Sequence, residues 1–187
     1  MTLEKISYED FDVIFRQMES NFIVDERREH DSALALLNNE KYTVYHVIDG
    51  DVRVGFITVW ELKNIYFIEH FVIFEQYRNR GYGARILETM KKKFSKIFLE
   101  CEPPTFDIAK RRMAFYMRSG FVVNDRPYLQ PPYRKDGALV PLVIMSYPMA
   151  LDDFDGTVDE LYRTVYNCKK SDLYIKNEFL ENDYERF

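Results

Sequence analysis

The segment that most constrains the fold of this chain is residues 71–84, FVIFEQYRNRGYGA. It begins as an apolar run typical of a buried strand, passes through a basic turn with two glycines, and enters a helical pattern. The first N–H groups of a helix have no partner inside it, and the helix dipole places positive potential beside them. Glycines let the main chain approach a ligand closely, and two arginines add charge. The segment therefore predicts a site for a phosphate-bearing ligand at a strand-to-helix junction.

This turn resembles a motif of a known family. Residues 78–83, RNRGYG, fit the R/Q-x-x-G-x-G/A turn of the GNAT superfamily of N-acetyltransferases, and residues 115–121, FYMRSGF, look like its F-Y-x-x-x-G-F junction. The resemblance covers roughly residues 1–147. It implies an α+β acyl-CoA N-acyltransferase fold, with a mixed central sheet, splayed strands and flanking helices. It also implies acetyl-CoA as co-substrate, with its pyrophosphate bound by Arg78, Asn79, Arg80, Gly81, Tyr82, Gly83 and Ala84.

The order of predicted elements agrees with this fold. A length of 187 residues is typical of one domain. Hydrophobic periodicity predicts two helices, a three-strand meander, a helical crossover to a fourth strand, another helix and a closing strand pair, over residues 9–22, 25–37, 42–48, 52–62, 65–74, 86–94, 96–100, 107–118, 121–123 and 139–146. Residues 1–150 are predicted to form the N-acetyltransferase domain. Residues 151–187 are predicted to form a helical extension that packs on it or mediates a homodimer.

Charge is distributed unevenly along the chain. The net charge is −5, but residues 78–118 carry eleven Lys or Arg and four acidic residues. A polyanionic ligand at this basic stretch and a cationic acceptor near the acidic remainder would suit the division. A solvated helix face is the alternative explanation for Lys91, Lys92 and Lys93. The overall acidity disfavours a nucleic-acid partner.

Several protein classes are disfavoured by other patterns. Cys101 and Cys168 form no C-x-x-C pair, and the three histidines show no metal-ligand spacing, so no metal is expected. The N-terminus lacks the basic and apolar zones of a signal peptide. No apolar run approaches the ~18 residues of a membrane span. We therefore expect a cytoplasmic protein without a membrane partner.

Glu69 is the predicted general base. Acetyl transfer to an amine requires that the amine lose a proton, and Glu69 interrupts an otherwise apolar strand. Burial disfavours the charged form of a carboxyl group and should raise its pKa. Many members of the family carry a glutamate near this position and use it as base. The alternative is a structural carboxylate paired with His70 or an arginine.

Tyr116 is the predicted general acid. It resembles the family's tyrosine that hydrogen-bonds the coenzyme sulfur and protonates the departing thiolate, whereas the alternative is a tyrosine packed in the core. Many family members also carry a coenzyme-contacting Asn seven residues earlier. Here that position is Ala109, so this contact is not carried over.

Phe71, Val72 and Ile73 match the family's strand that offers main-chain groups to the pantetheine arm. A β-bulge there would splay the strands and direct an N–H at the thioester carbonyl. Glu100 and Glu102 flank Cys101 beside the expected acceptor channel. Those two acids are predicted either to bind a cationic amine or to be surface carboxylates.

The predicted activity is N-acetylation by direct attack of an amine on acetyl-CoA. A non-catalytic acyl-CoA sensor or interaction module with the same fold is the alternative. A dinucleotide-binding oxidoreductase is disfavoured, because the turn lacks G-x-G-x-x-G and follows a meander. The acceptor stays open among polyamine, aminoglycoside, amino acid, peptide N-terminus and protein lysine.

Overall fold

The fold is built on one twisted sheet with helices on both faces. The computed structural model describes residues 1–134 and 137–175. Its strands are β1 Thr2–Lys5, β2 Tyr42–Asp49, β3 Val52–Glu61, β4 Tyr66–Ile73, β5 Ile97–Cys101, β6 Val122–Val123, β7 Tyr128–Gln130 and β8 Val140–Tyr147. Its helices are α1 Phe11–Asn21, α2 His30–Ala35, α3 Tyr82–Lys93, α4 Asp107–Arg118, α5 Phe154–Thr164 and α6 Lys170–Ile175.

The sheet is mixed, as predicted. Its strand order is β1-β2-β3-β4-β5-β8-β6, with β7 also paired to β8. Only the β4–β5 pair among these is parallel, and α3 forms the crossover that such a pair requires. β4 therefore lies at the centre of the sheet, as its nearly continuous apolar sequence indicated.

The two central strands diverge along their length. Their ladder pairs Tyr66–Ile68 with Ile97–Leu99, yet β4 continues to Ile73 and β5 to Cys101. Beyond Leu99, β5 pairs on with β8 on its other side. The predicted splay is confirmed. Among the described residues it leaves a gap between the carboxyl ends of β4 and β5.

The β-bulge lies at Glu69 and not at residues 71–73, where the bulge was predicted. Thr58 on β3 pairs with His70 and the next residue, Val59, pairs with Ile68, which leaves Glu69 as the extra residue. From Phe71 to Ile73 the β3–β4 register is regular. An added residue shifts the alternation of side chains, so Glu69 and His70 contact groups on the same side of the sheet. No residue type in the strand marks this position.

Two cores cover the two faces of the sheet. The first face is covered by α1, α2 and α5, whose buried side chains include Ile14, Ala33 and Leu161. The second face is covered by α3 and α4, with Ile86 and Tyr116 among its buried residues. Since α5 residues share one core with strand residues, α5 packs directly on the sheet.

Three elements differ from the sequence-based expectation. β1 and β7 were not predicted, because β1 is a short edge strand with mostly exposed side chains and β7 has only three residues. The helix predicted over 25–37 is interrupted, since Arg27 and Glu29 are extended. That break lets the intervening Arg28 turn its side chain into the interior, where it pairs with a buried acid.

The end of the chain is only partly described. Asp153 caps α5 by accepting a hydrogen bond from the Gly156 N–H at 2.9 Å. Residues 135–136, between β7 and β8, and residues 176–187 of the predicted extension lie outside the described residues.

Candidate functional site

The glycine turn, residues 78–84, brings a helix N-terminus to the carboxyl end of β4. Asn79 and Gly81 have left-handed backbones, with φ of 60° and 78°, and Gly81 caps α3. The N–H groups of Tyr82, Gly83 and Ala84 form the first turn of the helix, where intrahelical acceptors are missing. A Cβ added at Gly81 would meet no atom within 4 Å. Gly81 is therefore needed for its conformation, and the space beside it is open to a ligand.

The arginines of this region are held differently. Arg78 donates through Nε to the Ile73 carbonyl at 3.0 Å and through Nη2 to the Asn21 side chain, so part of its guanidinium is engaged by the protein. Arg80 is exposed. Arg85 forms two hydrogen bonds to Asp49, at 2.9 and 2.7 Å, which tie α3 to the β2–β3 hairpin. Arg80 is thus the arginine of the turn most available to an anion.

The main chain of β4 faces the gap. The Phe74 N–H donates to the Val54 carbonyl of β3, so by alternation the N–H groups of Phe71 and Ile73 point away from β3, toward the gap. The Glu69 side chain is fully buried although the residue as a whole is partly exposed, so its exposed atoms are main-chain atoms. Residues 69–73 therefore present main-chain groups along the open edge of β4.

The predicted rise in the Glu69 pKa is wrong. Burial opposes ionisation, but the Arg28 guanidinium and a hydrogen bond from His70 outweigh it and hold the pKa of Glu69 well below its usual range. Arg28 donates through Nη1 to Glu69 Oε1 and stacks over the Tyr133 ring at 4.5 Å. This is the structural pairing considered as the alternative, with an arginine 41 residues away in the chain.

His70 and Thr58 complete the surroundings of this carboxylate. The Thr58 hydroxyl lies 3.0 Å from His70 Nδ1 and 3.4 Å from Glu69 Oε2, and it accepts from the His70 N–H at 2.9 Å. His70 also lies in edge-to-face contact with Phe22, with 4.6 Å between ring centroids. The bulge thus places two polar side chains on the first face, beside the gap.

Glu100 is a second interior carboxylate, and it is not the surface group that its strand-end position allowed. Burial raises its pKa to about 7, against the lowering effect of hydrogen bonds from Tyr128 and Tyr166. Tyr166 Oη lies 2.9 and 2.8 Å from the two carboxylate oxygens, and Tyr128 donates to Oε1. The sequence offered one signal, a glutamate within an apolar strand, but no indication of the tyrosines around it.

Tyr116 lies on the second face. It is 8% exposed, and its ring packs between Phe115 and Phe121 at centroid distances of 5.3 and 5.7 Å. Burial raises its pKa, which keeps the phenol protonated at neutral pH. Its hydroxyl makes no hydrogen bond within residues 1–134 and 137–175, so this donor is available to a ligand. Cys101 shares its core, and burial raises the pKa of that thiol to about 11, which disfavours a nucleophilic thiolate.

Comparison with known proteins decides the family. A solved structure titled "Putative acetyltransferase from GNAT family" from Bacteroides thetaiotaomicron superposes with a TM-score of 0.86 and 30% identity, covering 90% of this chain and 100% of that one. This chain belongs to the GNAT family of acetyltransferases. The family's acetyltransferase (GNAT) domain model matches residues 40–123, which include the glycine turn and Tyr116.

Two further proteins are similar at lower identity. The "Putative acetyltransferase YjbC" of Bacillus subtilis (strain 168) is 26% identical over 109 residues, which span 57% of this chain and 55% of that relative. An aminoglycoside 6'-N-acetyltransferase complexed with coenzyme A shares the fold, with a TM-score of 0.55 and 14% identity over 82% of this chain and all of that one.

Two negative findings concern the described part of this GNAT chain. Residues 1–134 and 137–175 contain no group of three or more His, Cys, Asp or Glu side chains arranged to hold a metal ion. None of the helices in those ranges is long and apolar enough to cross a membrane.

Ala109, where many family members carry Asn, is fully buried.

Proposed function

We propose that this protein is an N-acetyltransferase that moves an acetyl group from acetyl-CoA to a primary amine by direct attack. The observation that carries the proposal is the gap between β4 and β5. A helix N-terminus lies at one end of this gap, carboxylates lie on the first face, and an available phenol lies on the second. Acetyl-CoA, when bound, supplies an activated thioester.

The residues at the gap fit this co-substrate. The glycine turn offers uncommitted N–H groups and open space beside Gly81, which suits a pyrophosphate, and Arg80 adds positive charge. The strand beside the gap includes Phe71, Val72 and Ile73. The main-chain N–H groups of Phe71 and Ile73 face the gap, like those at the open edge of a sheet. An extended pantetheine arm can pair with such an edge.

The open edge also supplies a donor for the carbonyl oxygen. Negative charge grows on that oxygen as the amine attacks, and a fixed main-chain N–H stabilises it without reorganisation. We assign this role to the N–H groups of β4 just beyond the bulge. Tyr116, protonated and without a protein acceptor in the described residues, then donates to the departing sulfur.

Two carboxylates compete for the role of base. A carboxylate with a lowered pKa is a weak proton acceptor, and Glu69 is fixed in an ion pair. Glu100 is half-buried and has a pKa of about 7, which suits proton transfer at neutral pH. We therefore propose Glu100 as the group that accepts the amine proton. That Glu69 is the base stays a prediction. Mutation of each glutamate in turn distinguishes the two candidates.

The acceptor in this proposal is a cationic amine. Glu26, near the first face, has a raised pKa because of burial and the neighbouring charge of Glu102. Glu26 and Glu100, when ionised, add negative charge on the acceptor side, whereas the charge of Glu69 is matched by Arg28. A cytoplasmic location and a homodimer stay predictions.

A turnover screen tests the proposal. The protein is mixed with acetyl-CoA and a panel of polyamines, aminoglycosides, amino acids, peptides and lysine-rich protein, and release of the free thiol is followed. Calorimetric titration with coenzyme A runs alongside. Amine-dependent thiol release supports the proposal. Tight coenzyme A binding with no turnover on any amine favours the sensor instead.

A further inference from the structure

We propose that Tyr166, which follows α5 outside the matched family domain, is a positioning residue for the Glu100 carboxylate. The end of α5 and the residues just after it are then part of the acceptor side of the site. This inference rests on the proposed function only in giving Glu100 a chemical role, because the contact itself can be tested without turnover.

The contact is fixed by geometry. Tyr166 Oη lies 2.9 Å from Glu100 Oε1 and 2.8 Å from Oε2, so it bridges both oxygens and restricts rotation of the carboxylate. Tyr128 of β7 donates to Oε1 from another direction. Tyr166 is 9% exposed, so water competes little for this hydrogen bond.

The end of α5 explains why Tyr166 is held there. Asn167 adopts a left-handed backbone with φ of 52°, and the Cys168 N–H donates to the Tyr162 carbonyl at 3.0 Å, which is a common way to end a helix. Tyr162 and Tyr166 are four residues apart, so both rings turn to the same side, toward the sheet.

The same helix end also holds the partner of Glu69. The Val165 carbonyl accepts a hydrogen bond from Arg28 Nη2 at 2.7 Å, while Nη1 of Arg28 donates to Glu69. The Tyr133 ring stacks on Arg28 and lies 5.1 Å from the Tyr166 ring. Two consecutive residues of the C-terminal segment therefore contact the surroundings of both interior carboxylates.

The groups around Glu100 determine in which direction its pKa moves when the Tyr166 hydroxyl is removed. The groups that face Glu100 are the phenols of Tyr128, Tyr133 and Tyr166, the Glu69 carboxylate and the Arg28 guanidinium. A phenol that donates a hydrogen bond stabilises the ionised carboxylate. Removing the Tyr166 hydroxyl should therefore raise the pKa of Glu100, by about one pH unit for one hydrogen bond to a charged group.

The direct test is an NMR titration of side-chain carboxyl carbons in protein labelled with 13C-glutamate, with Glu100 assigned by the Glu100→Gln variant. Tyr166→Phe should shift the Glu100 midpoint up by about one unit. The matched control is Tyr162→Phe, which removes a phenol four residues earlier that donates to the Leu129 carbonyl at 2.6 Å. That control should leave the midpoint in place. An equal midpoint in Tyr166→Phe and the unmodified protein would overturn the inference.

A second variant covers the case in which Tyr166→Phe does not fold. A 3-fluorotyrosine placed at position 166 keeps the hydroxyl but makes it a stronger donor, so the Glu100 midpoint should fall. An unchanged midpoint overturns the inference here as well. Where turnover is found, the acid limb of kcat/KM should move with the NMR midpoint. If the Glu100 midpoint moves but the acid limb of kcat/KM does not, Tyr166 still positions Glu100, but Glu100 is not the base.

Discussion

Glu69 and Arg28 form an ion pair in the interior, with side-chain exposures of 0% and 11%. The acid comes from the bulge of β4 and the arginine from an extended break before α2. An arginine whose charge is matched in this way stays protonated, and its pKa is raised by the carboxylate despite burial. The pair therefore places a fixed charge arrangement beside the gap.

Arg28→Met should destabilise the fold by about 3–5 kcal/mol at neutral pH, because it leaves a buried carboxylate without its partner. In the intact protein the lowered pKa of Glu69 contributes stability above pH ~4, and this is lost as pH falls through the folded-state pKa. In the variant the folded pKa of Glu69 should lie above its unfolded value, so the defect should shrink in acid. Urea unfolding of the variant and the unmodified protein at pH 8 and pH 5 measures the loss of stability and its decrease in acid, since the intact pair keeps its contribution at both pH values.

The matched control is the double variant Arg28→Met with Glu69→Gln. It removes both charges and should recover much of the loss, since no buried charge is left unpaired. If Arg28→Met loses the same unfolding free energy at both pH values, the loss does not come from the unpaired charge of Glu69.

Glu100→Gln should lower turnover on an accepted amine by about 10²–10⁴-fold, because it removes the proposed proton acceptor. In the intact protein kcat/KM should rise roughly tenfold from pH 6 to pH 8, since the carboxyl loses its proton through a pKa of about 7. The pH profile of Glu69→Gln is the comparison. If Glu69→Gln loses the rise in kcat/KM from pH 6 to pH 8 and Glu100→Gln keeps it, the base is Glu69.

Tyr116→Phe should lower kcat by about 10²-fold or more while the coenzyme A Kd changes little, because only the hydroxyl is lost and ring packing against Phe115 and Phe121 is kept. Stopped-flow measurement of thiol release gives kcat, and calorimetry gives Kd. A kcat equal to that of the unmodified protein would exclude the acid role.

Gly81→Ala should weaken coenzyme A binding, because a left-handed backbone disfavours a Cβ and the new methyl would enter the open space of the turn. Gly50→Ala is a matched control with φ of 63° and equally open surroundings, in the β2–β3 hairpin. Both variants should lose about 1 kcal/mol of stability, whereas only Gly81→Ala should raise the Kd. Similar Kd values for the two would argue against the turn as the pyrophosphate site.

Arg80→Ala should raise the Kd for coenzyme A, and the difference from the unmodified protein should shrink with added salt, since an exposed charge is screened. Arg126→Ala, at an exposed ion pair with Asp155, is the control and should bind normally. In Arg78→Ala the loss should be accompanied by a lower Tm, because Arg78 also bonds the Ile73 carbonyl. Equal affinity of Arg80→Ala and the control at low salt would remove Arg80 from the site.

The central part of the fold could be predicted from the sequence because its signals are local. An apolar run, a basic turn with two glycines and helical spacing identified β4, the turn and α3, and the helix predicted over 107–118 matches α4. β1 escaped prediction because an edge strand with mostly exposed residues lacks a strong apolar pattern. The helix over 25–37 was overpredicted because its propensity is overridden by the burial of one arginine.

The sequence by itself predicted the family resemblance, the order of the main elements and the strand-to-helix junction, since each depends on neighbours along the chain. Only the tertiary structure decided the state of the acids. Whether a buried carboxylate gains or loses its proton depends on which groups lie within a few ångströms, and Arg28, Tyr128 and Tyr166 come from distant parts of the chain. For that reason Glu69 and Glu100, both glutamates in apolar strands, have pKa values shifted in opposite directions.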